Sequence, residues 1–463
     1  MSPGTVERSP PKSSWLFSKQ PAAAIDRLRT CPAVTHPRIL LLATTTGYQT
    51  RSFGDAAERL AIELALATDR CTTLEDPWRD RALPIRFDDE PGSVAAILQE
   101  AARWPFAGLL AVGDRPVAIA AQAAAALGLP YHPIEGARAA HNKRVSRERL
   151  RAAGLPVPWF ASFAIDDPRP LVAGEVPFPC VIKPLVLSGS RGVIRADNHA
   201  DLRAAHARLA ALLHSREVQA LRDPGVGAVL IESYIPGDEY AIEGLLEHGR
   251  LRVLAIFDKP DPMPGPFFEE TIYVTPSRGD SARQRRMEHA VASAAQALGL
   301  HHGPIHAECR IDGDRVFVLE VAARPIGGLC ARALRFENGP SGIPLEELLL
   351  RHAAGEPAVS WTREAAASGV MMIPIPHRGV FRRVDGLDAA RAVPHVTEIR
   401  VTAKADQLLV PLPEGKSYLG FIFARAQDPG TVEGALRAAH ARLAFVIDRA
   451  LTVVSPPQRT TEH

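Results

Sequence analysis

A chain of 463 residues exceeds what one ordinary hydrophobic core organises, so two or three domains are expected. Its 54 basic and 52 acidic residues leave a net charge of +2, which gives no argument for a nucleic-acid or membrane surface. The five cysteines, Cys31, Cys71, Cys180, Cys309 and Cys330, are scattered and lack metal-ligand spacing. No apolar run is long enough to span a bilayer, and Met1 to Gln20 carries charges and prolines where a secretion signal needs an apolar core. The expected setting is the reducing cytoplasm.

Residues 1–37 read as a flexible leader rich in Pro, Ser and Arg, broken by one short helix over 22–29. Arg38 to Ala43 reads as a buried parallel strand that feeds a small-residue loop, Thr44 to Gly47. A helix over 53–66 follows, with Ile62 to Leu66 as a competing strand. A strand at Gly108 to Val112 and a helix from Val117 to Leu127, ended by Gly128, extend the alternation. The pattern predicts a doubly wound α/β domain over 38–135.

A core domain is expected over 136–355. It opens with a helix at 142–153 and adds strands near Cys180–Pro184, Ala228–Ser233, Ala241–Leu246 and Leu251–Phe257, with helices at 199–213 and 281–298. The remaining residues, 356–463, read as a small α+β lobe ending in a helix over 431–446. No internal repeat or heptad pattern is present.

Several segments carry chemistry. Lys183 ends an apolar strand, and a buried lysine needs an anionic partner. Five residues on, Ser188-Gly189-Ser190-Arg191-Gly192-Val193 is small enough for backbone N–H groups to approach phosphate oxygens. Gly415-Lys416-Ser417 resembles the end of a P-loop, but Val410 stands where that motif needs its first glycine. The run from Val229 to Tyr240 is a strand ending at Glu232, a Pro-Gly link, and a resumed strand that carries Glu239.

Two more carboxylates, Glu308 and Glu320, sit on alternating strands joined at Asp312-Gly313-Asp314, which predicts a hairpin. Paired carboxylates on such apolar strands, with Arg324 four residues on, suggest a divalent-cation site beside an anion clamp. Side chains alternate along strands, so an odd-length loop sets the two glutamates on one face. A three-residue loop, Gly313 to Arg315, is expected to place them directly opposite. His301, His302 and His306 cluster ahead of Glu308 as a weak transition-metal pattern, and His306, which shares strand parity with Glu308, is expected to line the site as a supporting or substrate-contacting residue.

The order Lys143, Lys183, Gly/Ser loop, Glu232 link, Glu308, Glu320 and Arg324-Pro-Ile-Gly-Gly resembles the ATP-grasp superfamily, and within it the carboxylate–amine ligases that include bacterial L-amino acid ligases. The resemblance covers roughly 38–450 and is densest over 140–355. It implies an N-terminal α/β domain before two lobes that hold ATP between them. Lys143 and Lys183 would contact phosphates, and Ser188, Gly189, Ser190 and Gly192 would belong to the closing loop. Glu232, Ser233 and Ile235 would present the adenine-binding link, with Glu239 on the ribose. Glu308 and Glu320 would carry Mg2+, for which Mn2+ can substitute, and Arg324 would stabilise an acyl-phosphate. Small-molecule carboxylate and amine substrates, no nucleic acid, no membrane and a homodimer are the expected partners.

Two departures narrow the resemblance. Ala322 stands where many ATP-grasp enzymes place a metal-binding asparagine; the dipeptide-ligase branch often has a small residue there, so the departure narrows the subgroup. In the segment 258–277, Glu270 matches an acid expected to hold a substrate ammonium, but Tyr273 replaces a histidine of that branch. The leading expectation is an ADP-forming ligase joining a carboxylate, an amino acid, to an amine. The rival readings are a carboxylating or formyl-transferring ligase on the same ATP site, and an ATP-binding sensor without chemistry.

Overall fold

The computed structural model describes residues 1, 36–44, 49–69, 82–169, 176–339 and 342–449. The expected leader up to residue 35, its short helix, Thr45 to Gly47 of the first loop, Cys31 and Cys71 lie outside them. The fold is α/β in its first part and α+β thereafter.

The first sheet has four parallel strands in the order Leu83–Pro84, Glu63–Thr68, Arg38–Ala43, Gly108–Val112. The strand Arg38–Ala43 is apolar throughout because both faces are covered. Leu40 and Leu42 join one core, and Ile39 and Leu41 join the other. The helix expected to reach Leu66 stops at Arg59. Ala61 takes a left-handed φ of 53°, and the next residues pair with Arg38–Ala43 as the strand Glu63–Thr68. Burial of an alternating apolar segment against a strand already in place outweighs helix continuation.

A second, antiparallel sheet orders Phe160–Ala164, Ala228–Ser233, Cys180–Pro184 and Ile194–Ala196. The helix His199–Leu213 backs it through Leu202, Leu209 and Leu213. Its N-cap is Asn198, whose side chain accepts from the amides of Ala200 and Asp201.

The third sheet is the frame of the molecule. Eight antiparallel strands run Arg315–Ala322, Gly303–Asp312, Asp238–Glu247, Arg250–Asp258, Ile272–Thr275, Ala367–Ile373, Gly420–Ala426 and Val396–Val401. Strands from the last hundred residues thus continue the sheet that holds Glu308. The helix Ser281–Leu298 covers one end through Met287, Val291, Ala294 and Leu298. The helix Pro429–His440 covers the other through Val432 and Leu436. The terminal helix expected to reach Val446 ends at His440, because Ala444–Arg449 pairs as a strand with Gly379–Asp385. Among the described residues no helix is long and apolar enough to cross a membrane.

Candidate active site

A cavity of roughly 370 Å³ opens between the second and third sheets, within the range of roughly 300–1,000 Å³ usual for small-molecule sites. One wall comes from the second sheet and its loops: Lys183, Ser188, Gly189, Ser190, Glu232, Ser233 and Ile235. The other comes from the long sheet: Glu239, Glu270, His306, Glu308, Glu320 and Arg324. Lys143 enters from the helix Lys143–Ala152. Of the site residues expected from sequence, only Gly192 is not on the cavity wall. It instead buttresses the Gly/Ser loop, where a Cβ would meet Leu209, Pro184 and Leu212.

The Gly/Ser loop is tightly turned: Gly189, Ser190 and Gly192 have positive φ, of 64°, 55° and 76°, and the amides of Arg191 and Val193 donate back to the Ser188 and Ser190 carbonyls. The loop is held from outside by residues 413–414: the Gly192 amide donates to the Pro413 carbonyl (2.8 Å) and Arg191 Nε to the Glu414 carbonyl (2.9 Å). Lys416 and Ser417 also line the cavity, so the segment that fails as a P-loop still reaches the site.

Behind this wall lies a buried charge cluster. The Glu232 carboxylate pairs with Lys183 Nζ and with Arg147 Nε (2.5 Å). Burial alone would raise the Glu232 carboxyl, but Arg147 and Lys183 pull it down to about 2. Lys183 moves the other way: burial lowers its pKa, the nearby Arg147 and Lys143 add to that, and Glu232 opposes it. Glu232 therefore turns its side chain inward and offers the cavity its backbone. Arg147 was invisible to the sequence reading, although its place one turn after Lys143 puts it on the same helix face.

The opposite wall carries a second cluster that the sequence did not announce. Lys259 Nζ reaches Glu239 (2.8 Å), Glu270 (2.7 Å) and Glu308 (3.0 Å) at once. Burial lowers the Lys259 pKa, but the three carboxylates outweigh it and raise it well above the usual value. Between the two facing acids, burial leaves Glu270 raised, and Lys259 and His306 hold Glu308 low. Glu239 is also bound by Arg310 Nε (2.7 Å), whose Nη1 donates to the Ile235 carbonyl (2.8 Å). Arg310 thus locks Glu239 to the link. Glu239, Glu270 and Glu308 each stood out in the sequence, but Lys259 and the convergence of the four did not.

The hairpin delivers the glutamate pair by a different route from the one expected. The last ladder pair is Asp312 with Arg315, so the loop has two residues, Gly313 and Asp314, not three. An even loop alone would send the pair to opposite faces. A β-bulge at Leu319 restores the parity: Cys309 pairs with Val318 and Glu308 with Glu320. The core records the switch, since Val316 and Val318 face it before the bulge and Val321 and Ala323 after it. Glu308 and Glu320 therefore share the cavity face as expected, with Leu319 beside them.

His306 Nδ1 lies 3.1 Å from the fully buried Glu243, and its Nε2 lies 3.9 Å from Glu308. Glu243 accepts from the Ile326 amide, which fixes the backbone just after Arg324. His301 and His302 stand apart, near His248 and His352. Arg324 pairs with Asp114 (Nε–Oδ1 2.8 Å), which follows the strand Gly108–Val112 of the first sheet. Burial works against the Arg324 charge, but Asp114 and Glu320 raise its pKa. The first domain thus supplies a carboxylate that holds the cation in place.

A carboxylate pair for a hard cation, lysines and a small-residue loop for phosphates, and an apolar slot closed by Tyr234 and Phe268 share one cavity. That combination suits nucleotide-dependent chemistry on a small acid. The ATP-grasp domain family matches residues 176–333, its N-terminal domain family matches 54–131, and the L-amino acid ligase C-terminal domain 2 family matches 371–448. An uncharacterised protein of Sinorhizobium fredii is 24% identical over 416 residues, 87% of this chain and 81% of its own. Carnosine synthase 1 of Gallus gallus is 31% identical over 289 residues, 59% of this chain but only 30% of its own length. The L-amino acid ligase of Bacillus licheniformis superimposes with a TM-score of 0.76 at 26% identity, over 89% of this chain and 99% of its own.

Proposed function

This chain belongs to the ATP-grasp superfamily, in its carboxylate–amine ligase branch, and from that membership we propose how its residues divide the work of an ADP-forming amino-acid ligase. It is an ATP-dependent ligase that joins a carboxylate to an amine. The carboxylate is proposed to be that of an amino acid.

Ile235, Tyr234 and Phe268 would hold the adenine of ATP and Glu239 its ribose, and Lys143, Lys183 and the Ser188–Ser190 loop would hold its phosphates, all of them lining the one cavity. Glu308 and Glu320 fit Mg2+, since they are paired oxygen donors on one face; Mn2+ can replace it. The acidic trio Glu239, Glu270 and Glu308 is a poorer cation site, because Lys259 Nζ already sits among its oxygens. When bound, the metal neutralises phosphate charge that would repel an incoming carboxylate.

A substrate carboxylate oxygen attacks the γ-phosphorus, and the bond from that phosphorus to ADP breaks. The product is an acyl-phosphate. Arg324, held by Asp114, faces the anionic oxygens of this intermediate and of the tetrahedral adduct that follows. A neutral amine attacks the acyl carbon, and phosphate leaves as the amide forms. Glu270, raised by burial, stands where an ammonium group would deliver its proton or be held. Three buried cysteines with free thiols, Cys180, Cys309 and Cys330, suit the cytoplasm we propose for it.

The observation that carries this reading is Glu308 and Glu320 paired across the ladder on one face of a cavity that Arg324 and the Gly/Ser loop also line. Purified protein with ATP, Mg2+ and a panel of amino-acid pairs tests it. ADP and phosphate appear only when both substrates are present. Release of AMP, or no amine-dependent turnover across a broad panel, would contradict it.

A further inference from the structure

The bulge at Leu319 needs something to hold it. A bulge interrupts the ladder, so its carbonyls lose regular partners, and a buried carbonyl without a donor is costly. Here the partner comes from another element. Arg147 is 1% exposed, and its guanidinium spans the gap between two walls of the cavity. Nη1 donates to the Val318 carbonyl (3.1 Å), Nη2 to the Leu319 carbonyl (2.9 Å), and Nε to Glu232 (2.5 Å).

We propose that Arg147 is a positioning residue: it pins the Leu319 bulge and thereby turns Glu320 toward the metal, in register with the Glu232 end of the adenine link. The inference rests on the reading of Glu320 as a metal ligand. The geometry asks for arginine specifically. A planar fork with five donors reaches two adjacent carbonyls and a carboxylate together, whereas a lysine ammonium at the same place cannot span them. Removing the extra residue would swap Glu320 to the core side and turn Val321 and Ala323 out of it.

Lys143 stands one turn before Arg147 on the same helix, and its Nζ donates to the Leu187 carbonyl (2.7 Å) just ahead of the Gly/Ser loop. One short helix, Lys143–Ala152, therefore sets three things against each other. They are the phosphate loop, the link and the metal strand. A side chain that supports a metal ligand from behind commonly changes metal affinity 10–100-fold, roughly, when it is removed.

The test compares Arg147→Lys, Arg147→Met and Glu320→Gln with the wild type by Mn2+ binding in the presence of ADP, read by electron paramagnetic resonance. Magnesium titrations of turnover accompany it. Arg147→Met is expected to weaken Mn2+ binding about tenfold or more. Arg147→Lys keeps a charge opposite Glu232 and so preserves the fold. It is expected to raise the apparent KM for magnesium severalfold, with most of kcat regained at saturating metal, which a merely structural lesion would not allow. Mn2+ binding and magnesium KM within twofold of wild type in Arg147→Lys, with Glu320→Gln impaired, would overturn the role of Arg147 alone. Undiminished Mn2+ binding in Glu320→Gln as well would overturn the metal reading and this inference together.

Discussion

The two walls of the cavity are both lined by buried charge, but they are balanced in opposite senses. Behind the phosphate loop, two cations, Arg147 and Lys183, share one carboxylate, Glu232. Across the cavity, Lys259 and Arg310 answer three carboxylates, Glu239, Glu270 and Glu308, and Glu320 adds a fourth. The first wall has positive charge to spare and suits phosphates. The second has negative charge to spare and suits a metal ion and an ammonium group. A buried charge left partly unpaired is expensive, and here each imbalance is matched by the ligand the wall is proposed to receive.

The comparison breaks most readily at the acidic wall. Glu308→Gln removes a proposed metal ligand and one of the charges around Lys259. Turnover at saturating Mg2+ is expected to fall by about a hundredfold or more, measured as phosphate release, while ADP binding without metal changes little.

Lys259→Met leaves Glu270 and Glu308 facing each other without their cation, while Glu239 keeps Arg310. Breaking such a buried pairing costs about 3 kcal/mol or more. The variant is expected to melt well below the wild type, and added Mn2+ is expected to restore part of the difference, because the acids then recruit a cation. Differential scanning fluorimetry with and without Mn2+ reads both effects.

The basic wall responds to acid. The Glu232 pKa is depressed from about 4.5 in the unfolded chain to about 2 in the folded one. Its stabilisation is therefore complete above pH 4.5 and lost as pH falls toward 2, and it amounts to about 3 kcal/mol. Melting temperatures between pH 6 and pH 3 should fall more steeply for wild type than for Glu232→Gln, which has no carboxyl to protonate there.

A smaller effect is expected at the junction with the first domain. Asp114→Asn removes the charge that holds Arg324 but keeps a side chain of the same shape. The expected loss is about tenfold in kcat with little change in the KM for ATP, measured in steady-state phosphate release.

How much of this was legible in the sequence follows from what kind of information each part needs. Long periodic segments were readable: the helices at 199–213 and 281–298 and the strand Ala228–Ser233 stand where apolar spacing put them. Expected metal and phosphate residues largely converge because their order along the chain follows a known family. The failures are places where a distant partner decides. Residues 62–66 became a strand because Arg38–Ala43 offered an edge, and 444–449 left the last helix because Gly379–Asp385 offered another. The same holds in the site. Alternation and loop length could not foresee a bulge whose carbonyls are answered by Arg147, a residue 171 positions from Val318 in the chain. Lys259 is one of only seven lysines, yet nothing local marks it until folding surrounds it with Glu239, Glu270 and Glu308.

The central claim is that this cavity phosphorylates a carboxylate before an amine captures it. Isotope transfer tests that step directly. With an amino-acid pair that supports turnover, the carboxylate substrate is labelled with oxygen-18 and the released phosphate is examined by 31P NMR. The account predicts that each phosphate carries one labelled oxygen, formed together with ADP. Unlabelled phosphate, or label recovered in AMP, would contradict it.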